Sequence, residues 1–348
     1  MTLAFFCLAG LDLLGLVEQR LTPDERSEFS DWIYDQQIPS SQGGGFRGSP
    51  AGGDLPSASK EPAAFDTANL AMTYTALLNL AILRDDFSRL DRQGVLAHVK
   101  SLQQPDGSFA SAKGQQEYDA RFVYCAFAIC YMLDDWSPID VDAALEFLSR
   151  SKSYDGAFGQ APTQESQGGS TYCALSALSL SGRLSHLTLE ERHAASKWLL
   201  SRQIPGSGFN GRIDKPVDTC YSFWCGASAW VLSSHANLDH LSDMVHLLSN
   251  QSPIGGISKA LGEPPDVMHS YLSMAALSIH AHSIPPERDP SGTKPIDRGC
   301  TPVAEEEGSR QREERMRQKL KGYLREIQPD LNLTLESKSH LVAKLWRR

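Results

Sequence analysis

The feature that most constrains this chain is a glycine-rich loop that recurs five times and contains an apolar residue in each copy. The copies read GGGFRGS, PDGSFAS, YDGAFGQ, GSGFNGR and IGGISKA, and their apolar residues are Phe46, Phe109, Phe158, Phe209 and Ile257. The spacings of 63, 49, 51 and 48 residues indicate a repeat of about fifty residues with one insertion. The insertion, 49–65, is rich in proline and small residues, and we expect it to be a surface loop.

Each loop leads into a segment that is apolar on nearly all sides, and more amphipathic segments lie between these. The apolar segments are 69–83, 121–133, 169–182, 219–233 and 268–279, and the amphipathic ones are 92–104, 140–152, 189–203 and 238–251. A helix without a polar stripe must be buried on most sides. No run alternates with period two, so we expect no sheet. The pattern predicts an all-α fold, an α/α barrel (toroid) of inner and outer helices.

Composition excludes several classes of protein. A net charge of -9 and a pI near 5.6 argue against a nucleic-acid binder, and no apolar run reaches the roughly 18 residues that span a bilayer. The first twenty residues resemble a signal peptide, but they lack a basic start and Asp12 interrupts them, so we expect a buried helix. The cysteine count of seven is odd, and most lie in apolar helical patterns, which is typical of a cytoplasmic protein.

The repeat also predicts which residues of neighbouring helices lie at the same level in the ring and could bind one ligand together. Asp218 and Cys220 open the helix after Phe209, and His269 opens the next apolar helix, 49 residues after Cys220. In a ring of parallel inner helices, these three side chains would converge at one edge. A thiolate, an imidazole and a carboxylate suit Zn²⁺ with a fourth position open. The alternatives are an N-cap aspartate, a core cysteine and an ordinary histidine.

Several stretches resemble the β subunits of protein prenyltransferases, particularly type I geranylgeranyltransferases: PVDTCYSFW, RFVYCAFAICYML, ESQGGSTYCALSAL, AMTYTALLNLAIL and GFRGS. The resemblance runs from about Thr2 to Ser283. It implies a cytoplasmic catalytic β subunit that pairs with an α subunit. Such an enzyme transfers a C20 geranylgeranyl group from geranylgeranyl diphosphate to the cysteine of a C-terminal CaaX motif, X usually Leu, on Rho-, Rac- or Rap-like GTPases. It also implies one Zn²⁺, held by Asp218, Cys220 and His269.

The resemblance further implies a diphosphate site, formed by Gln167, Arg212, Lys215, Tyr221 and Lys259. Fixed donors and cations stabilise a departing diphosphate because it gains charge as the C–O bond breaks. Taken alone, Arg212 and Lys215 are more typical of ordinary loop charges than of a binding site. Farnesyltransferases carry a Mg²⁺-binding aspartate where this chain has Lys259, so Mg²⁺ is not expected to be required.

A lipid and peptide cavity is implied as well, lined by Thr2, Asn69, Ala71, Arg121, Phe122 and Tyr124. Thr2 matches a small residue at the bottom of this cavity, where farnesyltransferases have a tryptophan, and a small side chain leaves room for a fourth isoprene unit. Ala71 and Phe122 match the pocket for the last substrate residue.

The chain departs from the family pattern in four places. Gln167 and Asn69 replace histidines of the diphosphate site and the peptide pocket. The chain begins one helix into the pattern, so we expect an apolar flank of the ring to be exposed. We expect the end of the chain to be foreign to the family, and we divide the sequence into a barrel (1–283), a linker (284–308) and a charged tail (309–348).

In this tail, 310–327 is predicted to be helical, with Pro329 as a breaker. A solvated extension is favoured over a docking helix for a partner. The alternatives for function are a farnesyltransferase β subunit, a Rab-type geranylgeranyltransferase β subunit, and a protein that binds prenyl lipids or an α subunit without turnover.

Overall fold

The computed structural model describes residues 1–49, 67–283 and 303–346, without the side chains of 303–307. Almost all of the predicted surface loop 49–65, and 284–302 of the predicted linker, therefore lie outside the described residues. The helices are α1 (Thr2–Leu13), α2 (Val17–Arg20), α3 (Pro23–Tyr34), α4 (Leu70–Ile82), α5 (Arg92–Leu102), α6 (Ala120–Leu133), α7 (Val141–Arg150), α8 (Gly168–Leu180), α9 (Leu189–Leu200), α10 (Cys220–Val231), α11 (His240–Ser249), α12 (Val267–His282), α13 (Val303–Lys321) and α14 (Leu335–Leu345). A short ribbon pairs β1 (Ile327–Gln328) with β2 (Leu333–Thr334) in antiparallel fashion.

Six of the described helices form a closed inner ring. Helices α1, α4, α6, α8, α10 and α12 each pack against the next, and α12 returns to α1. This confirms the predicted α/α barrel. The N-terminal stretch forms the first inner helix, α1. Asp12, which interrupts the apolar run of the sequence, lies within this helix and is buried. We call the end at which these helices begin the rim.

The expected exposed flank is present, although the ring itself is closed. Leu3 on α1 is 69% exposed. A groove of about 370 Å³ runs between α1 and α12, lined by Phe6, Leu11 and Met274 among others. An apolar strip of the first inner helix is therefore left uncovered by the described residues.

Amphipathic helices surround the ring, each starting at a capping side chain. On α7, Leu145 and Phe147 are buried, whereas Glu146 is exposed. The side-chain oxygens of the capping residues accept hydrogen bonds from backbone N–H groups of the first turn; these residues are Thr22, Asp91, Asp140, Thr188 and Asp239. Capping therefore fixes where each outer helix begins.

The recurring loop has the same structure in every repeat. Its apolar residue forms an isolated β-bridge with a residue one to three positions after the end of the preceding outer helix, as Phe109 does with Gln103 and Phe209 with Gln203. Gly107 has a φ of 88°, and a Cβ there would lie 2.0 Å from the carbonyl oxygen of Ala143 on the next outer helix. Glycine is required at this position because both the backbone conformation and the close approach exclude a side chain.

The C-terminal residues pack against the barrel, so the solvated-extension interpretation is wrong for 309–346. Helix α13 lies against α11 and α12, and α14 lies against α4 and α6. Helix α13 ends at Lys321 instead of the predicted Ile327, so it stops well before Pro329. The β1–β2 ribbon is a small sheet that was not expected. The dense charges of the tail obscured a set of buried leucines, namely Leu320, Leu324, Leu331, Leu333, Leu341 and Leu345.

Residues 325–337 cross the end of the ring opposite the rim, and we call this segment the floor. The Ser179 hydroxyl donates to Asp330 Oδ2 (2.6 Å), and the Ser278 hydroxyl donates to the carbonyl oxygen of Arg325 (2.6 Å). Arg325 N donates to the carbonyl oxygen of Leu13 (2.7 Å). Because these partners lie near the ends of α8, α12 and α1, the floor ties several inner helices together.

Candidate metal and diphosphate site

The structure brings Asp218, Cys220 and His269 together at the rim. Cys220 is the first residue of α10 and His269 lies in the first turn of α12. One ligand atom from each residue lies within 4.8 Å of the others, and His269 Nε2 is 3.3 Å from Asp218 Oδ1. The spatial convergence predicted from the repeat is therefore present.

Helix starts position these side chains. Asp218 Oδ1 accepts a hydrogen bond from Cys220 N (3.0 Å), so Asp218 also performs the capping role that was the alternative interpretation. On the neighbouring helix, Asp266 Oδ1 accepts from His269 N (2.9 Å), and Asp266 Oδ2 lies 2.5 Å from His269 Nδ1. This carboxylate orients the ring so that Nε2 faces Asp218, the arrangement that holds metal-binding histidines.

Asp266 was missed as a site residue by the sequence analysis. An aspartate three residues before a histidine at a helix start was the available signal. The same spacing is common in plain N-caps, so it does not identify a ligand-orienting residue by itself.

The electrostatics of the group favour a cation. Burial, reinforced by the Asp218 carboxylate, raises the pKa of the Cys220 thiol. Burial also opposes the charged forms of Asp218 and His269, but their mutual hydrogen bond and those from Cys220 and Asp266 outweigh it, so the pKa of Asp218 is lowered and that of His269 is raised. A divalent cation would replace these protons and hold the thiol as thiolate. The sulfur, nitrogen and oxygen donors fit Zn²⁺.

Gln167 and Tyr221 form a pair beside this group. Gln167 Oε1 accepts from Ser170 N (3.2 Å) and so caps α8, while its Nε2 donates to the Tyr221 hydroxyl oxygen (2.9 Å). Burial raises the pKa of Tyr221 to about 12, so its phenol stays protonated and can donate a hydrogen bond. Tyr221 directly follows Cys220, which places this donor next to the candidate metal ligands.

The three predicted cations are exposed on loops at the same rim. The Lys259 carbonyl oxygen accepts from Thr219 N (3.1 Å), so the Lys259 backbone adjoins the start of α10. Arg212 follows Gly211, whose carbonyl oxygen accepts from Gly168 N (2.8 Å) at the start of α8. The Arg212 guanidinium pairs with Glu165 (2.7 Å), and Lys215 is exposed. The loops are close together, while the Arg212 side chain is engaged by Glu165.

The predicted cavity residues separate into two sets. Thr2, Asn69 and Ala71 lie where α1 meets α4: the Thr2 hydroxyl contacts Met72 Sδ (3.4 Å), and Asn69 Oδ1 caps α4 by accepting from Ala71 N (2.9 Å). Thr2 lies in the first turn of α1, at the rim, and its predicted place at the bottom of a cavity stays a prediction. Asn69 in this conformation serves as a helix cap.

The second set begins α6. Arg121 is about half exposed and pairs with Asp119 (2.6 Å) and Glu117 (2.8 Å). Phe122 is buried beneath it. Tyr124 is buried one turn inside the ring, and its hydroxyl is hydrogen-bonded to the hydroxyls of Tyr74 (2.9 Å) and Tyr172 (3.2 Å). Arg121 is therefore held by acidic neighbours, and Tyr124 belongs to a larger group.

That group is a layer of tyrosines between the rim and the floor. It comprises one residue from each of four inner helices: Tyr74, Tyr124, Tyr172 and Tyr271. The hydroxyls of Tyr74, Tyr172 and Tyr271 donate to the carbonyl oxygens of Leu331, Pro329 and Asn332 in the floor. Of these four tyrosines only Tyr124 was predicted from the sequence, although the near-regular spacing of the other three was a usable signal.

A larger cavity lies elsewhere on the molecule. A groove of about 980 Å³ runs outside the ring between α11, α12 and α13, lined mainly by aliphatic side chains together with Arg312, Arg315 and Lys319. Size alone does not identify the reactive site, because the combination of thiol, imidazole and carboxylate lies at the rim.

Comparison with known proteins identifies the class. Residues 1–333 match the prenyltransferase alpha-alpha toroid domain, and the chain belongs to this family. It is 37% identical over 296 residues to the geranylgeranyl transferase type-1 subunit beta of Dictyostelium discoideum, covering 80% of this chain and 83% of the relative. Over 295 residues it is 37% identical to the subunit of the same name from Arabidopsis thaliana, covering 80% and 77%.

A solved structure agrees with this assignment. The structure titled Candida albicans protein geranylgeranyltransferase-I complexed with GGPP matches with a TM-score of 0.77 and 25% identity, covering 99% of this chain and 91% of that one. Because the family match extends to residue 333, the view that the C-terminal residues are foreign to the family is wrong up to that point. None of the described helices is both long and apolar enough to cross a membrane.

Proposed function

We propose that this chain is the zinc-dependent catalytic β subunit of a type I protein geranylgeranyltransferase. The observation that carries the proposal is the convergence of Asp218, Cys220 and His269 at the rim, in a chain 37% identical to two type-1 β subunits. The donor set leaves a fourth position for a substrate thiolate, as a catalytic zinc requires.

In the proposed reaction, the substrate cysteine sulfur forms a bond to C1 of geranylgeranyl diphosphate as the C1–O bond breaks. Diphosphate leaves with the electron pair, and the thiol proton is released. Zn²⁺ would lower the pKa of the substrate thiol. Asp266 orients His269 through Nδ1, and Tyr221 donates a hydrogen bond toward the departing diphosphate. Gln167 holds Tyr221 in place through its amide.

The exposed cations of the rim would complete the diphosphate site. Lys259, Lys215 and Arg212 lie on loops next to α8 and α10, where they can approach a ligand above Tyr221. We propose that Lys259 supplies the charge that Mg²⁺ would otherwise supply, so transfer needs no added magnesium. Thr2, Ala71, Phe122 and Tyr124 would line the lipid and peptide cavity, with Asn69 and Arg121 at its edge.

We further propose that the chain works as a heterodimer with a prenyltransferase α subunit. Its substrates would be geranylgeranyl diphosphate and CaaX proteins such as Rho-, Rac- or Rap-like GTPases. A cytoplasmic location agrees with the six described cysteines, all of which are free thiols.

The test is a transfer assay on the chain co-expressed with an α subunit. The assay supplies zinc without magnesium, a peptide ending Cys-Val-Ile-Leu, and either geranylgeranyl or farnesyl diphosphate. Transfer of the C20 group is expected. Lys259→Ala should slow it about tenfold because a charge-assisted contact is lost, while Lys113→Ala, in the equivalent loop of another repeat, should not change the rate.

Three outcomes would contradict the proposal. Preferential farnesyl transfer, or a requirement for magnesium, would indicate a farnesyltransferase. Absence of transfer from a folded, zinc-loaded heterodimer would indicate a protein that binds prenyl lipid without turnover.

A further inference from the structure

A second group of potential metal ligands lies outside the proposed active site. It consists of His235, in the short turn after α10, His240, at the start of α11, and His280, near the end of α12. All three are buried, and one ring nitrogen from each lies within 4.8 Å of the others. His269 and His280 are three turns apart on α12, roughly 16 Å along its axis, so the two groups are separate.

The orientation of His280 is fixed by a carboxylate. Its Nε2 lies 2.7 Å from Asp243 Oδ2, and Asp243 Oδ1 accepts from the Ser222 hydroxyl (2.6 Å). Since Nε2 donates to Asp243, neutral His280 has its lone pair on Nδ1, which faces His240 Nδ1 at 2.9 Å. A carboxylate on one nitrogen and a lone pair on the other is the usual setting of a metal-binding histidine.

His235 contributes an unsatisfied nitrogen. The Ser283 hydroxyl donates to the carbonyl oxygen of Ile279 (2.6 Å), so at 3.0 Å it accepts from His235 Nδ1. This leaves Nε2 unprotonated, and among the described residues that buried atom has no hydrogen-bond partner. Burial, chiefly, lowers the pKa of His235 and of His240, so both rings are neutral and able to coordinate a metal.

The charge balance also points to a cation. Asp243 is fully buried, and within the described ranges it pairs with no lysine or arginine. Arg317 approaches from α13, but it binds the carbonyl oxygens of His280 and Ser283 and is neutralised by Glu313. A buried carboxylate without a countercharge is costly, and a cation bound to His280 would provide one.

We propose that His235, His240 and His280 bind a divalent transition-metal ion, with Zn²⁺ as the expected occupant. Tetrahedral zinc at its usual Zn–N distance places ligand nitrogens roughly 3.3 Å apart. That separation lies between the 2.9 Å of the His240–His280 pair and the 4.8 Å limit of the whole group. Small rotations of the rings would therefore bring the three nitrogens to the spacing that zinc requires. Water would occupy the fourth position, and the ion would clamp the turn after α10 to α11 and α12.

The test counts metal ions in the heterodimer while the histidine group is intact. Zinc is measured by mass spectrometry in the wild type and in Asp218→Asn/His269→Ala, which disables the rim group. Two zinc ions per β chain are expected for the wild type and one for the rim variant. Adding His235→Leu to the rim variant should remove the last ion, whereas adding His98→Leu, at a buried histidine of α5, should not.

A rim variant that is folded and contains no zinc would overturn the proposal. Cobalt substitution separates this test from that of the proposed function. Co²⁺ at the rim should show a thiolate charge-transfer band from Cys220, and Co²⁺ at the three histidines should show none. The second site therefore stands or falls independently of prenyl transfer.

Discussion

The rim and the floor are the two ends of the same ring of helices, but the polar side chains at the two ends have different surroundings. At the rim, Lys215, Lys259 and Arg212 are exposed on loops, and Cys220 and His269 converge with Asp218. At the floor, the fully buried Asp12 is satisfied from several sides: Thr334 and Ser337 donate to Oδ2 at 2.5 and 2.7 Å, and Arg84 and Arg325 reach Oδ1. One end keeps groups available for ligands, and the other uses its polar groups for stability.

The largest expected effect on stability is at the floor, from Asp12→Asn. This change removes a buried charge and puts an amide where Thr334 and Ser337 donate, while Arg84 and Arg325 keep only the more exposed Glu18 and Glu336 as partners. It should cost about 3–5 kcal/mol in the free energy of unfolding. Urea denaturation measures this loss, and faster hydrogen exchange of residues 327–334 would locate it. Glu146→Gln, at an exposed glutamate of α7, is the control and should change stability by less than about 0.5 kcal/mol. Equal stability of Asp12→Asn and wild type would show that the floor is not anchored by this charge.

A smaller effect is expected on the rim side, where His98 packs under the loop that leads into α4. A Cβ on Gly45 of that loop would lie 2.7 Å from the His98 ring. Burial lowers the pKa of His98 to about 4, below its value in the unfolded chain, so the unfolded state binds more protons between these values. Stability is therefore full above about pH 6.5 and falls as the pH drops toward 4, by up to roughly 3 kcal/mol.

His98→Leu should flatten this dependence, as measured by urea unfolding at several pH values between 4 and 7. His193→Leu, at an exposed histidine of α9, is the control variant and should leave the slope as in the wild type. If wild type and His98→Leu lose stability in parallel on acidification, the histidine is not the cause.

The smallest effect is expected from a single floor hydrogen bond. Ser179→Ala removes the donor to buried Asp330 and should cost about 1–2 kcal/mol. Ser339→Ala is the matched control, because that exposed hydroxyl bonds the carbonyl oxygen of Leu335 in its own helix. Similar melting temperatures for the two variants would mean that the contact between α8 and the floor contributes little.

The difference between the ends also explains what could be predicted from the sequence. Asp218, Cys220 and His269 were predicted because the repeat places equivalent residues at one height and because the stretches around them resemble the prenyltransferase β subunits. The floor was missed because Asp12 and Thr334 are at opposite ends of the chain and no local pattern connects them. The same limit hid the three-histidine group, whose members come from a turn, a helix start and a helix end and share no repeat position.

The most direct test of the account compares one rim variant with one floor variant in the geranylgeranyl transfer assay. His269→Ala should lower the transfer rate by roughly 10³-fold, since several kcal/mol of transition-state stabilisation depend on the metal. Ser179→Ala should transfer at nearly the wild-type rate at a temperature where both variants are folded. Transfer by His269→Ala at the wild-type rate would contradict the assignment of catalysis to the metal group at the rim.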